Sequence, residues 1–233
     1  EKEFKNIVND VRLVYVKDRE TGKYFDVNRN AQRLPYDKFE AHVGLGYHKI
    51  ICEYDNLHCE FTILVPQKGY VETYKATVRN VGDKTRKLSV YPYVQPFVNI
   101  NAHAAYGKGW YEEGLDALYY TFRGFRLGQE YTDVFFKCNE TPVSYATNDI
   151  DFFGMYGGHD RPLGLQADRL SCNATVYEGA YAAAMQFDVE LKAGEEKTVS
   201  IRDKYRRGEE VSATHFLGWN YTVFYSVKED VVI

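Results

Sequence analysis

The stretch 48–66, "HKIICEYDNLHCEFTILVP", decides the fold class. Two runs rich in Ile and aromatic residues flank Asp55-Asn56, and Pro66 stops the second run. Asp and Asn tolerate the left-handed backbone that a two-residue hairpin turn demands. The segment therefore reads as strand, turn, strand. No apolar repeat at helical spacing lasts three turns anywhere in the chain, so nothing competes with a sheet.

The same design extends in both directions. "VRLVYVKD" (11–18) sets Val11, Leu13 and Tyr15 against Arg12, Val14 and Val16, and "RETGKYF" (19–25) supplies a Thr-Gly turn into another strand. "VETYKATVRN" (71–80) alternates, "VGDKTR" (81–86) turns, and "KLSVYPYVQPF" (87–97) returns. "AMQFDVELKAGEEKTVSIRDK" (184–204) repeats this around Gly194. Each is expected to be a hairpin. "GEEVSATHFLGWN" (208–220) holds at most one short helical turn, and the tail 215–233 looks like strand. With 21 Tyr and 14 Phe against two Met, the composition also favours a pleated, half-buried surface. The expected fold is all-β, a large antiparallel β-super-sandwich with few or no helices, in a single domain spanning 1–233.

Two segments break the alternation. Residues 99–118, "NINAHAAYGKGWYEEGLDAL", read as a long ordered loop, and such loops in compact domains are commonly functional. Residues 149–165, "DIDFFGMYGGHDRPLGL", are too broken by Gly157, Gly158 and Pro162 for a helix. They read as a structured loop that buries its aromatics and uses its glycines for a tight path.

Charge and cysteine usage exclude several function classes. Net charge is −4 and the 29 Lys and Arg are scattered, whereas nucleic-acid binding needs a concentrated basic face. The densest cluster, "KTRK" (84–87), sits at a turn. No apolar run approaches the ~20 residues of a membrane helix, and the start "EKEFKNIVND" has no secretory core. Neither nucleic acid nor membrane is expected as a partner, and the expected location is cytoplasmic. Cys52, Cys59, Cys138 and Cys172 show no metal-ligand spacing and are expected as buried free thiols. His42 and His48 flank Gly44 and Gly46, which argues against a shared metal site. No metal and no cofactor are expected.

Catalytic motifs are missing: there is no GxSxG, GxxxxGK[ST] or HExxH, and no GxGxxG between strand and helix. Paired carboxylates occur at Glu112-Glu113, Asp149/Asp151 and Glu195-Glu196. Adjacent residues of an extended chain point to opposite sides, so Glu112 and Glu113 could not flank one glycosidic bond. Trp110, Tyr111 and Tyr106 are candidates for stacking on a sugar face, with Glu112 for its hydroxyls. The alternative for these residues is aromatics in the core and acids in water. His103 and His159 are the histidines placed in loops that could face a sugar, and a structural or surface role is the alternative for each.

Several motifs carry a family resemblance. "VYVKDRETGKYFDV" (14–27), "FEAHVGLGYHKIICEYDNLHCEFTILVP" (39–66), "VETYKATVRNVGDKTRKLSVYPYV" (71–94), "FFGMYGGHDRPLGL" (152–165) and "LKAGEEKTVSI" (191–201) occur in this order. Together they resemble the N-terminal β-super-sandwich domain of the cellobiose phosphorylase and cyclic β-1,2-glucan synthase family of glycoside phosphorylases (glycosyltransferase 36-like). "AHAAYGKGWYEE" (102–113) is more similar to the glucan synthase version than to that of cellobiose phosphorylases, so cellobiose is not the expected sugar.

The resemblance implies a galactose mutarotase-like sandwich without catalytic residues of its own. In this family an α-helical barrel carries the general acid and the phosphate site. The chain is expected to lack that barrel and the family's first strands. Implied partners are the barrel, a second copy in a homodimer, and a β-linked glucan or oligosaccharide approached by the loop 103–113. An autonomous glycan-binding module, or an epimerase or lyase on the same fold, remains the alternative.

Overall fold

Asp55 and Asn56 hold φ of 51° and 60°, and the strands they join pair antiparallel, with Cys52 opposite Cys59. The computed structural model describes residues 12–29, 32–67, 71–95, 106–123, 131–176 and 181–207. In chain order its strands are β1 (Arg12–Asp18), β2 (Tyr24–Asp26), β3 (Lys38–Gly44), β4 (Tyr47–Tyr54), β5 (Leu57–Leu64), β6 (Val71–Asn80) and β7 (Arg86–Val94). There follow β8 (Tyr106–Glu112), β9 (Ala117–Arg123), β10 (Tyr131–Cys138), β11 (Ser144–Asn148), β12 (Thr175–Val176), β13 (Tyr181–Leu191) and β14 (Glu196–Arg207). One short helix, α1 (Asp149–Phe153), and a 3₁₀ turn (Leu163–Leu165) interrupt them.

Among the described residues the strands form two antiparallel sheets. One has nine strands, in the order β12-β8-β9-β10-β14-β6-β5-β4-β3, and the other has five, β11-β13-β7-β1-β2. The main core fills the space between them. Val14, Val16 and Val90 come from the smaller sheet, and Val78, Phe136 and Val199 from the larger. The expected all-β sandwich is therefore what the chain forms.

Two of the expected hairpins are not hairpins. β6 pairs with β5 and β14, whereas β7 pairs with β1 and β13. The turn at 81–85 thus carries the chain from one sheet to the other. β13 and β14 likewise lie in different sheets, and the Gly194 turn is a second crossing. A turn that reverses the chain serves a corner as well as a hairpin, and only strand pairing separates the two.

The smaller sheet is buried on both faces, which explains the continuous burial of β1 and β7. Its outer face carries Leu13, Tyr15, Tyr91 and Tyr93, covered by Phe152, Phe153, Leu165 and Leu170. The segment 149–165 is therefore a lid of packed structure. Contrary to the loop expectation, it begins with one turn of helix: Asn148 caps it by accepting from the Asp151 N–H, and Gly154 (φ 90°) ends it. Its aromatics also divide. Phe152 and Phe153 are buried, while Met155 and Tyr156 are exposed.

Cys52, Cys59 and Cys138 are buried free thiols, but Cys172 is exposed. A hydrogen bond donated by the Cys59 thiol to Cys52, together with burial, pushes the Cys59 thiol up.

Arg86 locks one corner of the sandwich. Its Nε donates to Asp18 Oδ2 at 2.9 Å, and its two terminal nitrogens donate to the Asp55 carbonyl and carboxylate at 2.8 and 2.9 Å. Burial works to raise the Asp18 carboxyl, but the Thr21 N–H and the Arg86 guanidinium outweigh it and hold the group below the usual carboxylate range. A lowered native pKa means stability that is full above the unfolded value of ~3.9 and lost as pH falls through the native value. The melting temperature should therefore drop on acidification below about pH 4. Asp18→Asn should start lower at pH 7 and show a shallower drop, and melts recorded from pH 7 to 3 compare the two slopes. Equal slopes would remove Asp18 from the account.

Candidate functional site

Strand β8 displaces the expected loop over 106–112. Its alternation is concealed because two of its inward positions, Gly107 and Gly109, are glycines. A Cβ on Gly107 would stand 2.8 Å from Phe122 and 3.0 Å from Tyr181, and one on Gly109 would stand 2.6 Å from the Tyr120 ring. These rings occupy the room that the absent side chains leave. The Tyr181 hydroxyl donates to the Gly107 carbonyl at 2.7 Å, and that of Tyr120 donates to the Ala182 carbonyl at 2.6 Å, so the two sheets are joined here.

The outward positions of β8 are Lys108, Trp110 and Glu112. Trp110 is half-buried, and its indole N–H donates to Glu112 Oε2 at 3.0 Å. The side chains lie two residues apart on one face, so the carboxylate fixes the ring. Trp110 sits directly opposite Tyr119 of β9, and Tyr119 sits opposite Phe135 of β10. Ring centroids are 4.8 Å apart for Trp110 and Tyr119, and 6.5 Å for Tyr119 and Phe135, whose planes are parallel within 1°. Three neighbouring strands thus carry an outward aromatic row.

Tyr111 does not join that row. It packs against the core and stacks on Tyr145 of β11 at 5.0 Å, 14° from parallel. Its hydroxyl donates to Asp116, which also accepts from Thr141 at 3.1 Å. Burial and the neighbouring Asp116 carboxylate push the phenol up. Tyr106 lies at the start of β8, opposite Arg123. His103 lies outside the described residues.

His159 belongs to a different layer, in the segment covering the smaller sheet. Its ring lies 4.5 Å from Phe153, and its carbonyl accepts from the Tyr15 hydroxyl at 2.8 Å. Burial holds its imidazole below the usual range against the pull of Asp26 and Asp160. The six sequence candidates therefore split. Trp110 and Glu112 act together, Tyr111 faces inward, and His159 is held by the lid. Tyr119 and Phe135 went unnoticed in the sequence, although their place at alternating positions within aromatic strands was the available signal.

The other carboxylates do not form a glycosidase pair. Asp149 and Asp151 are two apart on one helical turn and do not face each other. Burial holds the Asp149 carboxyl up, and Asp151 accepts from Ser171 at 2.6 Å. Glu195 is spent at the sheet crossing, accepting from the Lys192 N–H at 2.9 Å. No group of His, Cys, Asp and Glu among the described residues is arranged to hold a metal ion. No helix among them is long and apolar enough to cross a membrane.

Comparison with known proteins agrees with the sandwich. The family model for the supersandwich domain of glycosyl hydrolase 94 matches residues 6–211. A cellobionic acid phosphorylase of Neurospora crassa is 28% identical over 191 residues, covering 80% of this chain and 24% of the relative. An N,N'-diacetylchitobiose phosphorylase of Vibrio proteolyticus is 28% identical over 199 residues, covering 78% of this chain and 24% of the relative. Among solved structures, a protein described as a kojibiose phosphorylase from the human microbiome superposes with a TM-score of 0.52 at 9% identity, covering 85% of this chain and 23% of that one. The chain spans about a quarter of the length of the curated relatives it matches. With nearly its whole length matched in sequence and the sandwich matched in structure, the chain belongs to the supersandwich domain family of glycosyl hydrolase 94.

Proposed function

We propose that this chain is a single noncatalytic domain of a glycoside phosphorylase-like protein, which packs on an α-helical catalytic barrel and supports both homodimer formation and the sugar site. The observation that carries this reading is the β3–β4 hairpin tip. Val43, Leu45, Tyr47 and Val65 form an exposed apolar group there, with Leu45 102% exposed. A tight Leu45-Gly46 turn (φ 80° at Gly46) holds the tip out, and the Tyr47 ring lies over Gly44 so closely that a Cβ there would meet it at 2.1 Å. An ordered turn that presents large apolar side chains to water is suited to a partner surface. The length of the relatives, about four times that of the matched region, supports a partner within a longer protein.

The test is an assay of the isolated chain for sugar 1-phosphate released from β-linked disaccharides in the presence of inorganic phosphate. No turnover is expected, and turnover by the pure chain would end the noncatalytic reading. Leu45→Asp should leave the unfolding free energy of the isolated chain unchanged, within about 0.5 kcal/mol. A large loss of stability would mean that the tip serves the domain itself.

A further inference from the structure

We propose that strand β3 pairs antiparallel with β3 of a second copy of this chain, so that two nine-stranded sheets join edge to edge about a twofold axis at Ala41. The proposal rests on the homodimer part of the reading above and gives that homodimer its contact.

The first argument is the state of the sheet edges. Among the described residues the end strands are β2 and β11 in the smaller sheet, and β3 and β12 in the larger. Unpaired edges invite strand addition, and proteins guard them with short strands, bulges, prolines or inward charges. β12 has two residues and β2 three, and β11 has five with a register shift between Ala146 and Asn148. β3 has none of these guards. It runs for seven residues, Lys38–Gly44, in unbroken register with β4, and it contains no proline. Its charged side chains, Lys38 and Glu40, lie on the outward face and pair with each other at 3.0 Å. The inward positions are the apolar Phe39, Ala41 and Val43, of which Phe39 packs against the core.

The second argument is that this edge is complementary to itself. The Val65 N–H donates to the Gly46 carbonyl at 2.8 Å, so the even-numbered residues of β4 bond to β5 and its odd-numbered residues bond to β3. Those odd residues, Lys49, Ile51 and Glu53, stand opposite His42, Glu40 and Lys38. The backbone N–H and C=O groups of Phe39, Ala41 and Val43 therefore point away from β4. Ala41 and Val43 are exposed, Val43 by 80%. An antiparallel copy with Ala41 facing Ala41 satisfies all of these backbone groups. On the inward face it sets Val43 against the partner's Phe39, which covers the exposed isopropyl group. On the outward face it sets Glu40 against the partner's His42, a carboxylate against a ring N–H. These are non-hydrogen-bonded positions, where cross-strand side chains come closest. Sliding the copy by two residues in one direction would put Glu40 against Glu40, and in the other His42 against His42. Self-pairing thus has one favoured register, which an unrelated extended peptide would not supply. Leu45 and Val65 of the hairpin tip lie outside this pairing.

The test is the oligomeric state of the chain, followed by sedimentation velocity across micromolar concentrations. A dimer that dissociates on dilution is expected. Ala41→Pro removes an N–H that points away from β4, so the sheet keeps its ladder while the dimer should be lost. Val43→Asp changes a side chain already in water and should also give a monomer, which covers the case of a proline variant that fails to fold. Glu40→Lys alone sets an ammonium against His42, and His42→Glu alone sets a carboxylate against Glu40. Each should weaken association about tenfold. The two changes together restore opposite signs and should recover the dimer. Melting curves confirm that each variant is folded. A folded chain that stays monomeric, a dimer that survives Val43→Asp or a folded Ala41→Pro, or single charge changes without effect or without rescue in the double variant would each overturn the proposal. Its failure leaves the noncatalytic reading in place, because turnover decides that reading and association does not.

Discussion

Phe152→Ala is expected to cost the domain about 3–5 kcal/mol, the range for emptying a fully buried aromatic site. The Phe152 ring is wholly buried and stands 5.9, 5.1 and 5.0 Å from the rings of Tyr15, Tyr93 and Phe153. It is the plug between the lid and the outer face of the smaller sheet. Nearby close contacts keep the site from collapsing. A Cβ on Gly164 would already stand 3.3 Å from the Phe152 ring, and one on Gly157 would lie 1.7 Å from the Phe153 carbonyl. The lid therefore has little freedom to sink into the gap. Urea unfolding followed by circular dichroism would show the loss as a lower midpoint. Tyr156→Ala, three residues past the helix and 97% exposed, should change stability by less than about 0.5 kcal/mol. If the two variants unfold alike, the lid is not the closing layer described above.

Asn80→Ala should be nearly as damaging, on the order of 3 kcal/mol, because it removes one side chain from several buried hydrogen bonds at once. Asn80 is fully buried where the two crossings between sheets meet. Its side-chain amide donates to the Lys84 carbonyl at 2.7 Å and to the Leu191 carbonyl at 3.0 Å, and its side-chain oxygen accepts from the Gly82 N–H at 3.0 Å. Its backbone bonds both ways to the other crossing, N–H to the Glu195 carbonyl and carbonyl from the Gly194 N–H, each at 2.9 Å. Truncation leaves carbonyls of both crossings without their donor. Asn80→Asp is the sharper test, since a carboxylate cannot donate and would face those same carbonyls. It should be at least as destabilising as Asn80→Ala at pH 7. A mild Asn80→Asp effect would contradict this geometry.

How much of this was legible in the sequence differs from element to element. The Asp55-Asn56 hairpin was plain because its signal is local: left-handed turn residues sit between two β-rich runs. The turns at 81–85 and around Gly194 carried similar signals and were misread. Hairpin and corner make the same local demand, and the choice depends on which distant strands offer their edges. β8 was misread for the opposite reason. Two of its inward positions, Gly107 and Gly109, carry no side chain, so the strand shows little alternation. That deficiency becomes intelligible only beside Tyr120, Phe122 and Tyr181, which fill the space. The candidate site followed the same course. Trp110 and Glu112 were recognised because they are close in sequence, whereas Tyr119 and Phe135 join them through strand register.

Sequence alone, then, determined the all-β class, the β4–β5 turn and the family, because each is written in short-range spacing or in motifs that keep their order. Tertiary structure alone decided which strands share a sheet, that the segment 149–165 closes the outer face of the smaller sheet, and that three rings from separate strands line up on the larger one. The physical reason is that antiparallel pairing and side-chain packing act between residues far apart in the chain, and a sequence shows the propensity to form such contacts without naming the partner.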